Sequence, residues 1–88
     1  MQNNILFIRN LPFKITGNEL YELFGKYGAI RQIRIGDAQD TKGTAFIVFE
    51  QLVDANNALK NLSGFNLNGR YLIVLYHNSS NQRKRKDM

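Results

Sequence analysis

Lys42-Gly43-Thr44-Ala45-Phe46-Ile47-Val48-Phe49 is the stretch on which the fold turns. Successive residues of a strand point to opposite faces, so Ala45, Ile47 and Phe49 share one face and Thr44, Phe46 and Val48 the other. The first set is what a core requires. The second carries an aromatic ring that a merely solvated face has no need of. The rest of the chain must therefore cover one face and give the other a purpose.

Upstream, Ile5-Leu6-Phe7-Ile8-Arg9 is a run of β-formers closed by Asn10-Leu11-Pro12, where the proline lacks a ladder donor. It predicts a first strand with Leu6 and Ile8 on one face and Phe7 and Arg9 on the other. Thr16-Gly17-Asn18-Glu19 has the form of a capping box. Leu20, Leu23, Phe24 and Tyr27 follow it at helical spacing, and Gly28 suits a left-handed closing residue. Ile30 to Ile35 predicts a second strand, with Ile33 and Ile35 opposite Gln32 and Arg34. The polar, turn-rich segment 36–41 joins it to Lys42–Phe49 as a hairpin.

Downstream, Leu52, Ala55, Ala58, Leu59 and Leu62 mark a second helix, which Ser63-Gly64 stops. Asn68-Gly69 is a strong turn signal, and Arg70 to Tyr76 predicts a last strand. The order strand, helix, strand, strand, helix, strand predicts a ferredoxin-like α+β domain. Right-handed crossovers place both helices on one face of a four-stranded antiparallel sheet, with the first and third strands at its centre. Phe7 and Phe46 then lie side by side on the bare face, where flat rings can stack on unpaired bases. Tyr71, Ile73 and Leu75 add an apolar stripe to that face, a feature that often marks a site for another chain.

At 88 residues and 43% hydrophobic content, the chain has material for one core. Residues 1–4 read as a short lead, 5–77 as the domain and 78–88 as a disordered basic tail. Of the net charge of +5, Arg83, Lys84, Arg85 and Lys86 less Asp87 supply +3, so residues 1–82 carry only +2. A domain so mildly basic does not grip phosphate by charge alone. The absence of cysteine removes disulfides, thiolate metal sites and cysteine nucleophiles. Neither a signal peptide nor a membrane-spanning run is visible, so a cytosolic or nuclear protein is expected.

Leu6-Phe7-Ile8-Arg9-Asn10-Leu11 and Lys42–Phe49 resemble the first-strand hexamer and third-strand octamer of the RNA recognition motif family, and the resemblance covers residues 5–77. It implies that Phe7 and Phe46 are stacking aromatics and that Lys42 reaches a phosphate, with Arg9 and Arg34 as further RNA contacts. The octamer departs from the family at Thr44, where a third ring is usual. One lost ring removes about 1–3 kcal/mol per stacked base, so the isolated domain is expected to bind RNA weakly.

Phe24-Gly25-Lys26-Tyr27-Gly28, Gly43-Thr44-Ala45 and Leu62-Ser63-Gly64-Phe65-Asn66 narrow the resemblance to the small branch-site subunits of splicing factor 3b. That likeness implies a nuclear, non-catalytic splicing protein. Its sheet would be covered by a segment of the complex's large scaffold subunit through Thr44, Val48, Tyr71, Ile73 and Leu75, and Phe7 would lie near the branch adenosine of the pre-mRNA. Phe7 replaces a tyrosine of that group, which removes a phenolic hydrogen bond and keeps the stacking ring. The alternative is a free-standing single-stranded RNA binder that stacks bases on Phe7 and Phe46.

The remaining motifs are weaker. Gly25-Lys26-Tyr27-Gly28 has the spacing of a backbone clamp but sits between a helix and a strand, so it reads as a helix end. His77 has no nearby carboxylate or cysteine, so it is expected to be solvent-exposed at a strand end. Asp37 and Asp40 lie in a turn without a nucleophilic partner, and Asn10-Leu11-Pro12 lacks the glycines of a phosphate-cradling loop. No enzyme, cofactor, metal, membrane or small-molecule substrate is expected. Arg83-Lys84-Arg85-Lys86 suits a nuclear-localisation signal, a contact to RNA backbone or a solvated end.

Overall fold

A computed structural model describes residues 3–77; the expected tail 78–88 lies outside the described residues. The elements are β1 (Ile5–Arg9), α1 (Gly17–Phe24), β2 (Ile30–Ile35), β3 (Ala45–Phe49), α2 (Leu52–Leu62), β4 (Asn66–Leu67), β5 (Arg70–Tyr71) and β6 (Ile73–Tyr76), with a short 3-10 turn at Gly25–Tyr27 after α1. β2, β3, β1 and β6 pair in that order as one antiparallel sheet, so β1 and β3 are central.

Alternation explains the packing. Leu6 and Ile8 of β1, Ala45, Ile47 and Phe49 of β3, and Val74 of β6 are buried, and Leu20 and Phe24 of α1 with Ala55, Ala58 and Leu62 of α2 close over them. Ile33 and Ile35 pack against this core but stay half-buried, because β2 is an edge strand. Leu52, expected on the helix's inner stripe, is 46% exposed: it opens α2, before the helix settles on the sheet.

Both capping-box bonds at α1 are present, with the Glu19 amide donating to the Thr16 hydroxyl at 3.2 Å and the Thr16 amide donating to the Glu19 carboxylate at 2.9 Å. Thr16→Ala is expected to lower stability by about 1 kcal/mol, read as a shifted denaturation midpoint with an unchanged slope.

Gly28 has a different role from the one expected. Its backbone is close to extended, with φ 159° and ψ 178°, and is not a left-handed helix cap. The glycine is needed for close approach: a Cβ there would stand 2.6 Å from the Cβ of Asp54, in the first turn of α2. Gly28→Val should cost about 1–3 kcal/mol by pushing α2 off its seat, measurable by the same denaturation.

The expected last strand is broken in two. Asn68 (φ 53°) and Gly69 (φ 89°) form a two-residue turn with both residues left-handed, which pairs Asn66 with Tyr71 and Leu67 with Arg70 in a separate hairpin. Leu72 follows with its amide on the Phe65 carbonyl and its carbonyl accepting from the Gly64 amide. Only from Ile73 does the chain pair with β1.

Candidate nucleic-acid interface

The face turned away from the helices is built on the register of the two central strands. Phe7 stands directly opposite Phe46, and their ring centroids are 4.9 Å apart at a tilt of 34°. Such a tilted, offset contact favours aromatic pairs and holds the two rings together while one surface of the pair stays open. Arg34 is the β2 partner of Phe46, and Arg9 is the β1 partner of Ile73. Both arginines are exposed. Among the described residues the ion pair is Arg31 with Glu50, at 3.1 Å, so the charges of Arg9, Arg34 and Lys42 are not neutralised by a carboxylate.

Lys42 and Thr44 lie just outside β3, in the turn that leads into it. Gly43, with φ 83°, makes that turn, and its carbonyl accepts from the Leu11 amide at 2.9 Å. The Thr44 hydroxyl donates to the Thr41 carbonyl at 2.7 Å. The residue that replaces the family's usual third ring thus closes its own loop.

Val48 is half-buried between the aromatic pair and β2, while Ile73 and Leu75 are 42% and 45% exposed on β6. Tyr71 is 63% exposed but belongs to the β4–β5 hairpin, so the apolar stripe on the sheet is Ile73 and Leu75 alone. The physical reason is the Asn68-Gly69 turn, which claims Arg70 and Tyr71 for local pairing before the chain reaches β1. Tyr71 remains tied to the sheet's end: its carbonyl accepts from the Asn10 side-chain amide at 2.9 Å. Asn10, itself left-handed with φ 66°, also accepts from the Arg70 guanidinium at 2.8 Å.

His77 departs from its expected placement. It is half-buried, with its imidazole edge-on to Phe46 at a centroid separation of 4.7 Å and an interplanar angle of 74°. Its position is legible in hindsight, because it has the same parity as Ile73 and Leu75 and so projects from the same face. Ile5, Gln32, Arg34, Phe46, Val48 and His77 line a shallow depression of about 310 Å³ on this face. Among the described residues no three His, Cys, Asp or Glu side chains are grouped to hold a metal ion, and no helix is long and apolar enough to cross a membrane.

The family model for the RNA recognition motif matches residues 6–73. Splicing factor 3B subunit 6 of Drosophila melanogaster is 57% identical across 98% of this chain and 71% of its own length. The chain belongs to the splicing factor 3B subunit 6 family of RNA recognition motifs. A subunit 6-like protein of Arabidopsis thaliana is 59% identical over 97% of this chain and 68% of its own length. Among solved structures, the Sex-lethal protein–RNA complex is similar, with a TM-score of 0.80 and 34% identity over 86% of this chain and 47% of that one. The subunit 6 likeness spans the sheet, both helices and the β4–β5 hairpin, so the motif residues at Phe7 and Phe46 occupy family positions within a family fold.

Proposed function

We propose that this protein is a non-catalytic RNA recognition motif subunit of the branch-site recognition complex of pre-mRNA splicing, working in the nucleus, with its domain in residues 5–77. Its bare sheet face serves two ligands. A segment of the large scaffold subunit of splicing factor 3b lies along the β6 side, over Ile73 and Leu75 and out to Tyr71, with Thr44 and Val48 at its margin. The β1–β3 side meets pre-mRNA, with Phe7 near the branch adenosine, Phe46 beside it, and Arg9, Arg34 and Lys42 facing phosphate.

The observation that carries this reading is the division of one sheet face. Two exposed aliphatic side chains stand on β6, where base-reading polar groups would otherwise be needed, and a ring pair flanked by unneutralised cations stands on β1 and β3. The names of the relatives point to the same complex. The test is affinity capture from nuclear extract with the full chain as bait. Recovery of the splicing scaffold is expected, and its absence from a capture that retains soluble, folded bait would overturn the proposal.

The Phe7–Phe46 contact favours one second reading, a free-standing binder of single-stranded RNA. Submicromolar, sequence-dependent affinity of the purified chain for short RNAs would favour it, whereas the scaffold-bound reading expects weak binding.

A further inference from the structure

We infer that His77 is a base-contacting residue, and that the depression between it, Phe46, Gln32 and Arg34 is a slot for one nucleobase of single-stranded RNA. This rests on the reading that the β1–β3 side of the sheet meets RNA, and it extends that side beyond Phe7 and Phe46.

The geometry comes from the backbone. The His77 amide donates to the Ile5 carbonyl at 2.9 Å, and the His77 carbonyl accepts from the side-chain amide of Asn3. Pinned on both sides, residue 77 continues the β6–β1 pairing past Tyr76 and swings its imidazole across the end of β1 to Phe46. Phe46 thus has a ring on each flank, Phe7 at 4.9 Å and His77 at 4.7 Å. The third ring that Thr44 does not provide is supplied from the opposite end of the sheet.

The slot beside these rings suits a base in size and chemistry. At about 310 Å³ it is at the lower end of the range that ligand sites occupy. Its floor is apolar, Ile5 and Val48. Two aromatic walls stand nearly perpendicular, so one can stack on a planar ligand while the other meets its edge. The remaining wall carries a primary amide, Gln32, that can donate to and accept from a base edge, and a guanidinium, Arg34, that can reach the adjoining phosphate. An aliphatic side chain from a protein segment would fill the floor but leave Gln32 and Arg34 desolvated without partners, which favours the base.

The test uses the full chain titrated with short oligoadenylate and oligouridylate, followed by NMR. The His77 ring and Gln32 side-chain amide signals should shift together with those of Phe46. His77→Ala should weaken binding about tenfold, and His77→Phe, which keeps a flat ring, should restore it. Denaturation midpoints of both variants report any loss of fold. Should RNA bind and Phe7→Ala weaken it, while both His77 variants match the parent, the slot is overturned and the RNA reading stands. Absence of binding to either RNA would overturn both. Signals of His77 and Gln32 that respond to N-acetyltryptophanamide and to neither RNA would make the depression a protein side-chain site and overturn the proposal.

Discussion

Phe49→Ala is expected to lower the stability of the domain by about 3–5 kcal/mol. Phe49 is fully buried, among the largest side chains in the core, and ends a central strand. Its backbone is held on both sides by Asn4, whose carbonyl accepts from the Phe49 amide and whose side-chain amide donates to the Phe49 carbonyl, each at 2.8 Å. Those bonds keep the strand end in place, so the core cannot relax into the space left by the ring and a cavity remains. Small domains have only about 5–15 kcal/mol in total, so a large part of the folding free energy is removed. Urea denaturation followed by circular dichroism should show a much lower midpoint with the same slope. A shift below about 1 kcal/mol would mean that the helices close over the site.

The second large effect is on binding and comes from the other face. Phe7→Ala combined with Phe46→Ala should reduce affinity for single-stranded RNA by about 1–3 kcal/mol for each base that loses its platform. The stability change should be much smaller than that of Phe49→Ala. Both rings are half-buried and opposite the core, and the stability lost is chiefly their mutual contact, about 0.5–1.5 kcal/mol. Phe46 and Phe49 lie three positions apart on one strand yet report on different properties, because alternation sends them to opposite faces. Fluorescence anisotropy with a labelled oligonucleotide, beside the urea titration, separates the two. Unchanged RNA affinity in the double variant would remove the rings from the binding surface.

Elements whose signal is local or periodic were legible from the residues. The parity of Leu6 and Ile8 against Phe7, and of Ala45, Ile47 and Phe49 against Phe46, was enough to place β1 and β3 and to bring the two rings together. Thr16 and Glu19 identified the start of α1 because a capping box is a contact between near neighbours. What escaped depends on partners distant in sequence. Asn68-Gly69 announced a turn, but only the strand before it, Asn66–Leu67, reveals that Arg70 and Tyr71 pair there and leave the sheet. Gly28 looked like a helix terminator, whereas its neighbour is Asp54, on the next helix. His77 lies past the last apolar residue of the chain, and its contact with Phe46 exists only because the strand order carries β6 beside β1.

The irregular start of β2 has a consequence for how copies of this protein coexist. β2 is an outer strand, and its register against β3 skips Arg31, with Ile30 facing Phe49 and Gln32 facing Val48. An outer strand exposes a row of backbone donors and acceptors that another molecule can extend into a longer sheet. A bulge kinks that row, and Arg31 and Arg34 put positive charge along it. Two such edges brought together would meet out of step and with like charges opposed. A protein with exposed aliphatic groups on one sheet face is thereby kept from polymerising through its edge, so association is confined to the face where partner chemistry decides it.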